Sequence, residues 1–466
     1  MNWLSNAQAR EQEMIEDLQA LIQIDSVLDE STATEAVPFG KGPLEALHWM
    51  LAKGEAAGMR TANLDNKVGF IEMGDGDEMV GILCHVDVVP AGSDWVHAPF
   101  GGEIEDGKLY GRGSIDDKGP TMAAWLAMKM VKDAGIQLDR RVRLIVGTDE
   151  ETGFRCIEHY MANEEVPTLG FAPDAEFPMI NAEKGIADTV YRLVDVTDHD
   201  EQLRSFRAGH RTNMVPDFAT AVVKHVDASI EEAFQTFKAA QQLTGEITNI
   251  DTNMYTLTVK GVSAHAMEPN NGVNAAVKLA TFLADIVTTT TSKRFVDFIA
   301  HSFGQETRGH ALGLAYSDDM SGETTLNAGV IEYEAGRIGE VRISMRYPVS
   351  YDFDTMIEQG RQAIEGTGFE LVIVEDSKPH YVAPETELVQ KLSAVYTRNT
   401  GEEATLLSTG GGTYARELPN GVAFGMLFPG EPELAHQHDE YVVIENLVKA
   451  AAIYADAIVE LATITK

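Results

Sequence analysis

Between residues 68 and 184, short apolar runs alternate with helical patterns: Val80 to Cys84, Thr121 to Ala134, Val142 to Val146 and Leu169 to Ala172. That order predicts an α/β unit in which helices cover a sheet. The helix near residue 120 has legible ends. Pro120 suits a first turn, Met122, Leu126 and Met130 recur at four-residue intervals, and Gly135 stands where a C-terminal cap belongs. From about 186 to 381 the apolar residues alternate instead: Tyr255, Leu257 and Val259 against Thr256, Thr258 and Lys260, and Val341, Ile343 and Met345 against Arg342, Ser344 and Arg346. Each such strand is expected to keep one wet face. A helix over Gly272 to Val287, apolar at Val273, Val277, Ala280 and Leu283, completes an α+β domain with an antiparallel sheet. After Lys378 to Pro384, helix and buried-strand patterns return, including Val422 to Phe428. The chain is therefore predicted to have a discontinuous domain, residues 1–185 and 382–466, with a mostly parallel sheet and helices on both faces. A second domain, 186–381, is inserted into it.

Length agrees with this division, since 466 residues at 44% hydrophobic content exceed what single cores usually hold. Against 36 Lys plus Arg stand 73 Asp plus Glu, and the formal charge of −37 repels phosphate backbones and anionic membranes. Neither nucleic acid nor a membrane is expected as a partner. The charge reads as a solvated acidic surface. Two cysteines, Cys84 and Cys156, provide neither a disulfide framework nor a thiolate zinc site, and they suit a reducing compartment. Met14, Ile15, Leu18, Leu21 and Ile22 lie at helical spacing among carboxylates, which predicts an amphipathic surface helix rather than a leader. No stretch approaches the roughly 18 apolar residues of a membrane span. A soluble, cytoplasmic protein is expected.

The residues able to do chemistry cluster where predicted strands of the first domain end, the edge along which open α/β sheets gather ligands if the strands are parallel. His85 and Asp87 follow Gly81 to Cys84 and project to the same side, as a metal ligand and a carboxylate that orients its imidazole would. The glycine-punctuated loop Gly111 to Gly119 delivers Asp116 and Asp117 to a helix start. There Asp117 suits a capping role, and Asp116, with two oxygens able to bridge two ions, suits ligation, the adjacent pair leaving the choice open. Val142 to Val146 runs into Asp149, Glu150 and Glu151, where the neighbours Glu150 and Glu151 diverge, which allows one to ligate while the other serves as general base. Asp174 follows Leu169 to Ala172, and His436 or His438 supplies a last candidate. Singly, each has an ordinary structural use. Together, two histidines and three carboxylates suit Zn²⁺ or Mn²⁺ better than Mg²⁺ or Ca²⁺, and point to a paired-metal hydrolase.

The ordered set His85-Val86-Asp87, Gly111 to Gly119, Asp149-Glu150-Glu151, Asp174, Gly261 to Ala266 and His436 resembles the co-catalytic metallopeptidases that include aminoacylases, carnosinases and succinyl-diaminopimelate desuccinylases. Through Pro173 to Pro178, Asn181 to Gly185, Asn213 to Asp217 and Ser408 to Ala415 it looks closest to the PepV-type bacterial dipeptidases. The resemblance implies two divalent ions, zinc first and manganese second, held by His85 and Asp174 on one side, Glu151 and His436 on the other, with Asp116 between. It implies Glu150 as general base and Asp87 as the group orienting His85. The inserted domain would be a lid whose His265 stabilises the oxyanion and whose Asn213 assists at the scissile carbonyl. Arg346 would pair with the substrate carboxylate, while Gly410, Gly411 and Gly412 admit the peptide backbone. The lid's size implies that one chain completes its own site and acts as a monomer. The expected activity is hydrolysis of unblocked dipeptides by a water bridging the metals. An N-acyl amino acid amidohydrolase with the same metal core is the alternative, and a catalytically silent binding protein is the reading from another class.

Overall fold

Apolar runs too short for helices form the centre of a mixed sheet. In order across it lie Arg60–Leu64, Val68–Met73, Arg141–Gly147, Met79–His85, Leu169–Ala172 and Gly421–Ala423. The last four are mutually parallel and the first two antiparallel, so the parallel part is the middle of the sheet rather than the whole of it. Both faces are covered. Val80, Ile82, Cys84, Val142, Leu144 and Val146 enter one apolar cluster with the helices Glu11–Ile22, Lys118–Asp133, Glu387–Thr400 and Ile444–Ala462. Leu83 and Ile145, one residue out of phase, enter another with Cys156, Ile157 and Tyr160 of the helix Arg155–Asn163. Dry surroundings on both sides explain why these strands read as unbroken apolar runs.

The computed structural model describes residues 1–197, 201–224, 229–304 and 306–464. They form two units: Met1–Asn181 with Tyr381–Leu407 and Gly412–Lys466, and Ala182–His380 with Ser408–Gly411. In the first unit the N-terminal segment forms two helices, Trp3–Gln8 and Glu11–Ile22, with Met14, Ile15, Leu18, Leu21 and Ile22 buried. The helix at 120 begins at Lys118, keeps Pro120 in its first turn and ends at Asp133, with Gly135 at φ +65°. Thirteen of its sixteen residues are buried, because it lies between the sheet and the outer helices rather than on the surface. The run Val422 to Phe428 is two short strands, Gly421–Ala423 and Met426–Leu427. Gly425 separates them at φ +79°, where a Cβ would enter the Phe177 ring.

The second unit is built on an eight-stranded antiparallel sheet in the order Thr244–Asp251, Met254–Lys260, Phe218–Lys224, Leu203–Ala208, Thr325–Glu334, Ile338–Tyr347, Gly185–Leu193, Phe369–Ser377. Its core takes side chains from the helices Ser229–Gln241, Ala275–Ile286, Thr290–Phe303 and Phe353–Ala363. Tyr255, Leu257 and Val259 are buried and Lys260 exposed, as the alternation requires. The strand Ile338–Tyr347 departs from it. Arg342 is exposed, yet Ser344 and Arg346 are only 1% and 4% exposed, so the expected wet face is dry at that end. Opposite Arg346, buried Thr325 donates its hydroxyl to the Ala266 carbonyl, so the segment carrying Ala266 lies over this end of the sheet. Among the described residues no helix is long and apolar enough to cross a membrane.

Candidate metal centre

Parallel pairing brings strand ends together at one edge, with His85 opposite Gly147 in register. His85 closes a fully buried strand, and its Nδ1 lies 3.0 Å from the Asp87 carbonyl, which leaves Nε2 facing outward from the sheet edge. The Asp87 carboxylate is 3.5 Å from the same ring, but its hydrogen bonds come from the amides of Glu150 and Glu151, each at 3.1 Å. Asp87 thus orients the imidazole mainly through its backbone and fixes the glutamate pair with its side chain. Asp149 closes the base of that loop by pairing with Arg155 through both oxygens, at 2.6 and 2.7 Å. Gly147 is required just before the loop, since a Cβ would strike the Tyr414 hydroxyl, which meets Cys156 Sγ at 2.8 Å.

Two groups of ligand atoms share Asp116. His85 Nε2 lies 3.2 Å from Asp116 Oδ1 and 3.5 Å from Asp174 Oδ2. His436 Nε2 lies 3.0 Å from Asp116 Oδ2 and 3.0 Å from Glu151 Oε2. Each Asp116 oxygen therefore faces a different histidine. His85 Nε2 and Asp116 Oδ1 are buried and close, yet neither is aligned in a hydrogen bond. A lone pair and a carboxylate oxygen directed at common space are the donor set a divalent ion requires. His438 is exposed and outside both groups. Asp117 stands at the N-cap position but makes no amide cap: its Oδ2 accepts from the His85 amide at 3.0 Å and from Thr121 Oγ1 at 3.1 Å. The capping role expected for it is thus corrected, because burial turns the carboxylate toward the sheet instead of along the helix.

The side chains alone carry an unbalanced charge. Burial, reinforced by Asp116, pushes the Glu151 carboxyl up to about 7 and that of Asp174 up to about 6. Burial also raises Glu150 well above the usual carboxyl range. For His436, burial opposes the charged ring, but hydrogen bonds to Asp116 and Glu151 outweigh it and raise it to about 11. Three carboxyls that hold their protons so strongly, crowded around an Asp116 that, despite burial, hydrogen bonds to His436 and His85 keep ionised, are a site that two divalent cations would neutralise. His85, Asp116, Asp174, Glu151 and His436 are the residues that could hold them.

Glu440 is a residue beside the site that sequence reasoning missed. It is fully buried, accepts from the amides of Gly113, Ile115 and Asp116 at 3.0, 2.9 and 3.3 Å, and pairs with Arg112 at 2.5 Å. It therefore ties the loop presenting Asp116 to the segment presenting His436. Its signal was an acid four residues beyond a candidate histidine, a pattern equally at home on a wet surface.

In the second unit Asn213 and His265 lie on adjacent segments. Met214 and His265 form a β-bridge, the Ala266 amide donates to the Asn213 carbonyl at 2.9 Å, and Val215 donates to the Ala264 carbonyl at 2.8 Å. His265 Nδ1 accepts from the Met267 amide at 3.2 Å, so the neutral ring carries its proton on Nε2. Gly410 packs against Met267, where a Cβ would come within 3.0 Å, and Gly411 donates its amide to Thr409 Oγ1 at 2.9 Å. Arg346 is buried on the strand Ile338–Tyr347. Gly412 belongs to the first unit.

The sequence profile of peptidase family M20/M25/M40 matches residues 81–460. A Bacillus subtilis protein named "Putative dipeptidase YtjP" is 47% identical over 468 residues, covering 99% of this chain and 100% of that one. The crystal structure of human carnosine dipeptidase 1 superposes with a TM-score of 0.58 at 14% identity, over 99% of this chain and 98% of that one. The dipeptidase Dug1p from Saccharomyces cerevisiae gives 0.57 at 13% identity, over 99% and 98%. At these identities the structures bear on the fold alone.

Proposed function

Because the chain belongs to peptidase family M20/M25/M40, and is thereby a metallopeptidase, we propose that it hydrolyses the peptide bond of unblocked dipeptides at a two-metal centre. The observation that carries this reading is Asp116, whose two oxygens face two different histidines, each with its own further carboxylate. Two ions of the zinc or manganese type would be held by His85 and Asp174 on one side, Glu151 and His436 on the other, and Asp116 between. Bound there, they supply Lewis acidity, polarising the scissile carbonyl and acidifying the attacking water.

The protein's own groups do the rest. Glu150, with its amide anchored on Asp87, takes a proton from the attacking water and passes it to the leaving amine. His265 carries a proton on Nε2, the form that donates to a developing oxyanion, and Asn213 assists at the same carbonyl. Arg346 offers a planar fork to the terminal carboxylate. Gly410, Gly411 and Gly412 would let the bound peptide approach their backbone closely, with Gly410 also seating Met267 of the segment that carries His265. In this reading residues 186–381 act as a lid, one chain completes its own site, and the enzyme works in the cytoplasm, which two unpaired buried thiols suit.

The test is a panel of dipeptides, including β-Ala-His, beside N-acyl amino acids, assayed on metal-stripped protein after adding back Zn²⁺, Mn²⁺ or Co²⁺. Hydrolysis of dipeptides is expected. Exclusive turnover of the acyl compounds would replace the reading with an amidohydrolase.

A further inference from the structure

Asn213 and His265 sit in segments without continuous strand or helix, yet the proposed reaction needs both to hold position. What anchors them is a side chain that lies on neither segment. Asn327, on the strand Thr325–Glu334, is 1% exposed, and its Nδ2 donates to the Thr212 carbonyl at 2.7 Å and to the Met214 carbonyl at 2.8 Å. These carbonyls flank Asn213 on either side. Both amide protons are used, while the buried Oδ1 has no hydrogen-bond partner. The amide therefore has one workable orientation, because a flip would set Oδ1 against two carbonyl oxygens. An orphaned buried acceptor is an unfavourable feature, and here it accompanies a double clamp.

The same loop is pressed to the same strand nearby. The pairing of Thr325–Glu334 with Ile338–Tyr347 shifts register between Ala328 and Val330. At Gly329, between them, a Cβ would strike the Thr212 carbonyl, and a Cβ on Gly209 would strike the Gly329 carbonyl. The hold then passes to the second segment. The Asn213 carbonyl accepts from the Ala266 amide, and Val215 donates to Ala264, bracketing His265 as Asn327 brackets Asn213.

We propose that Asn327 is a positioning residue for the peptidase reaction, fixing the Asn213 loop and through it His265 without touching substrate. This rests on the reading of Asn213 and His265 given above.

The experiment is a double-mutant cycle on the metal-loaded enzyme, following kcat and KM for a dipeptide. Asn327→Asp keeps the shape but removes both donors, and Asn327→Ala removes the amide. Either is expected to lower kcat/KM by about 10–10²-fold, the scale of a small misplacement of reacting groups, with two bound metals retained. Placed on an Asn213→Ala/His265→Ala background, Asn327→Ala should cost less than about threefold, since the groups it positions are gone. Amide exchange should quicken at 211–217 and 262–268 and nowhere else in that unit. If Asn327→Asp does not fold, Asn327→Ser, which retains one donor, takes its place and should be intermediate between wild type and Asn327→Ala. Equal cost on both backgrounds, or full activity of Asn327→Asp or its substitute, overturns the proposal while leaving the underlying reading intact. Full activity of the Asn213→Ala/His265→Ala enzyme overturns that reading, and this inference with it.

Discussion

Glu150 and Glu440 show how far single residues were legible. The position of Glu150 was legible because it follows an apolar strand beside a second glutamate, and strand-end acids in α/β sheets face the ligand edge. Glu440 did not, since its role depends on three backbone amides that only the folded loop brings together. Asp87 was half legible: its closeness to His85 was expected, but its grip on the Glu150 and Glu151 amides comes from strand pairing 63 and 64 residues away. Replacing Glu150 with Gln should leave two metals bound and lower kcat by about 10²–10⁴-fold, measured by metal analysis beside steady-state kinetics. Full activity in that variant would remove Glu150 from the reaction. Glu440→Gln should weaken metal affinity about 10–100-fold, as loss of an outer support for a ligand commonly does. A chelator-competition titration reads this directly, and unchanged affinity would leave Glu440 a purely structural partner of Arg112.

At the level of elements, the alternation of short runs and helical patterns was enough for the sheet and its crossover helix, because strands buried on both faces leave an unbroken apolar signature. The burial of Ser344 and Arg346 was not legible, since it depends on a remote segment lying over one end of a strand. Nor was the break at Gly425, set by the Phe177 ring. Steric fit also governs the loop that presents Glu150 and Glu151. Gly147→Ala forces a methyl against Tyr414 and should cost about 1–3 kcal/mol of stability, as overpacking does. Chemical denaturation measures it, and adding Tyr414→Phe should return part of the loss. Equal stability of Gly147→Ala and wild type would mean that the Tyr414 ring yields freely.

For the molecule as a whole, the metal centre is also a stability element with a definite pH sign. Without cations, Glu151 and Asp174 hold protons in the folded state up to about 7 and about 6, above their ordinary carboxyl values. At these two groups the folded state binds more protons than the unfolded one, so their contribution to stability is most favourable below pH ~4 and is lost as pH rises through 6 and 7. Divalent ions bind the deprotonated ligands, so the melting temperature of loaded protein should exceed that of stripped protein by a margin that widens from pH 5 to pH 8. A margin that narrows would mean that these carboxylates are not where the ions bind. Self-sufficiency of one chain is a separate matter, tested by mixing inactive Glu150→Ala and His265→Ala chains. No recovery is expected, and regained activity would reveal a site shared between subunits.

That Asp116 serves two ions at once is tested most directly by a calorimetric titration of metal-stripped protein with Zn²⁺ or Mn²⁺, followed in the same samples by dipeptide hydrolysis. Two ions per chain are predicted, with activity appearing as the pair fills and with Asp116→Asn losing both the second ion and the activity. A single ion per chain with full activity, or an Asp116→Asn enzyme that still binds two ions and still cleaves dipeptides, would contradict it.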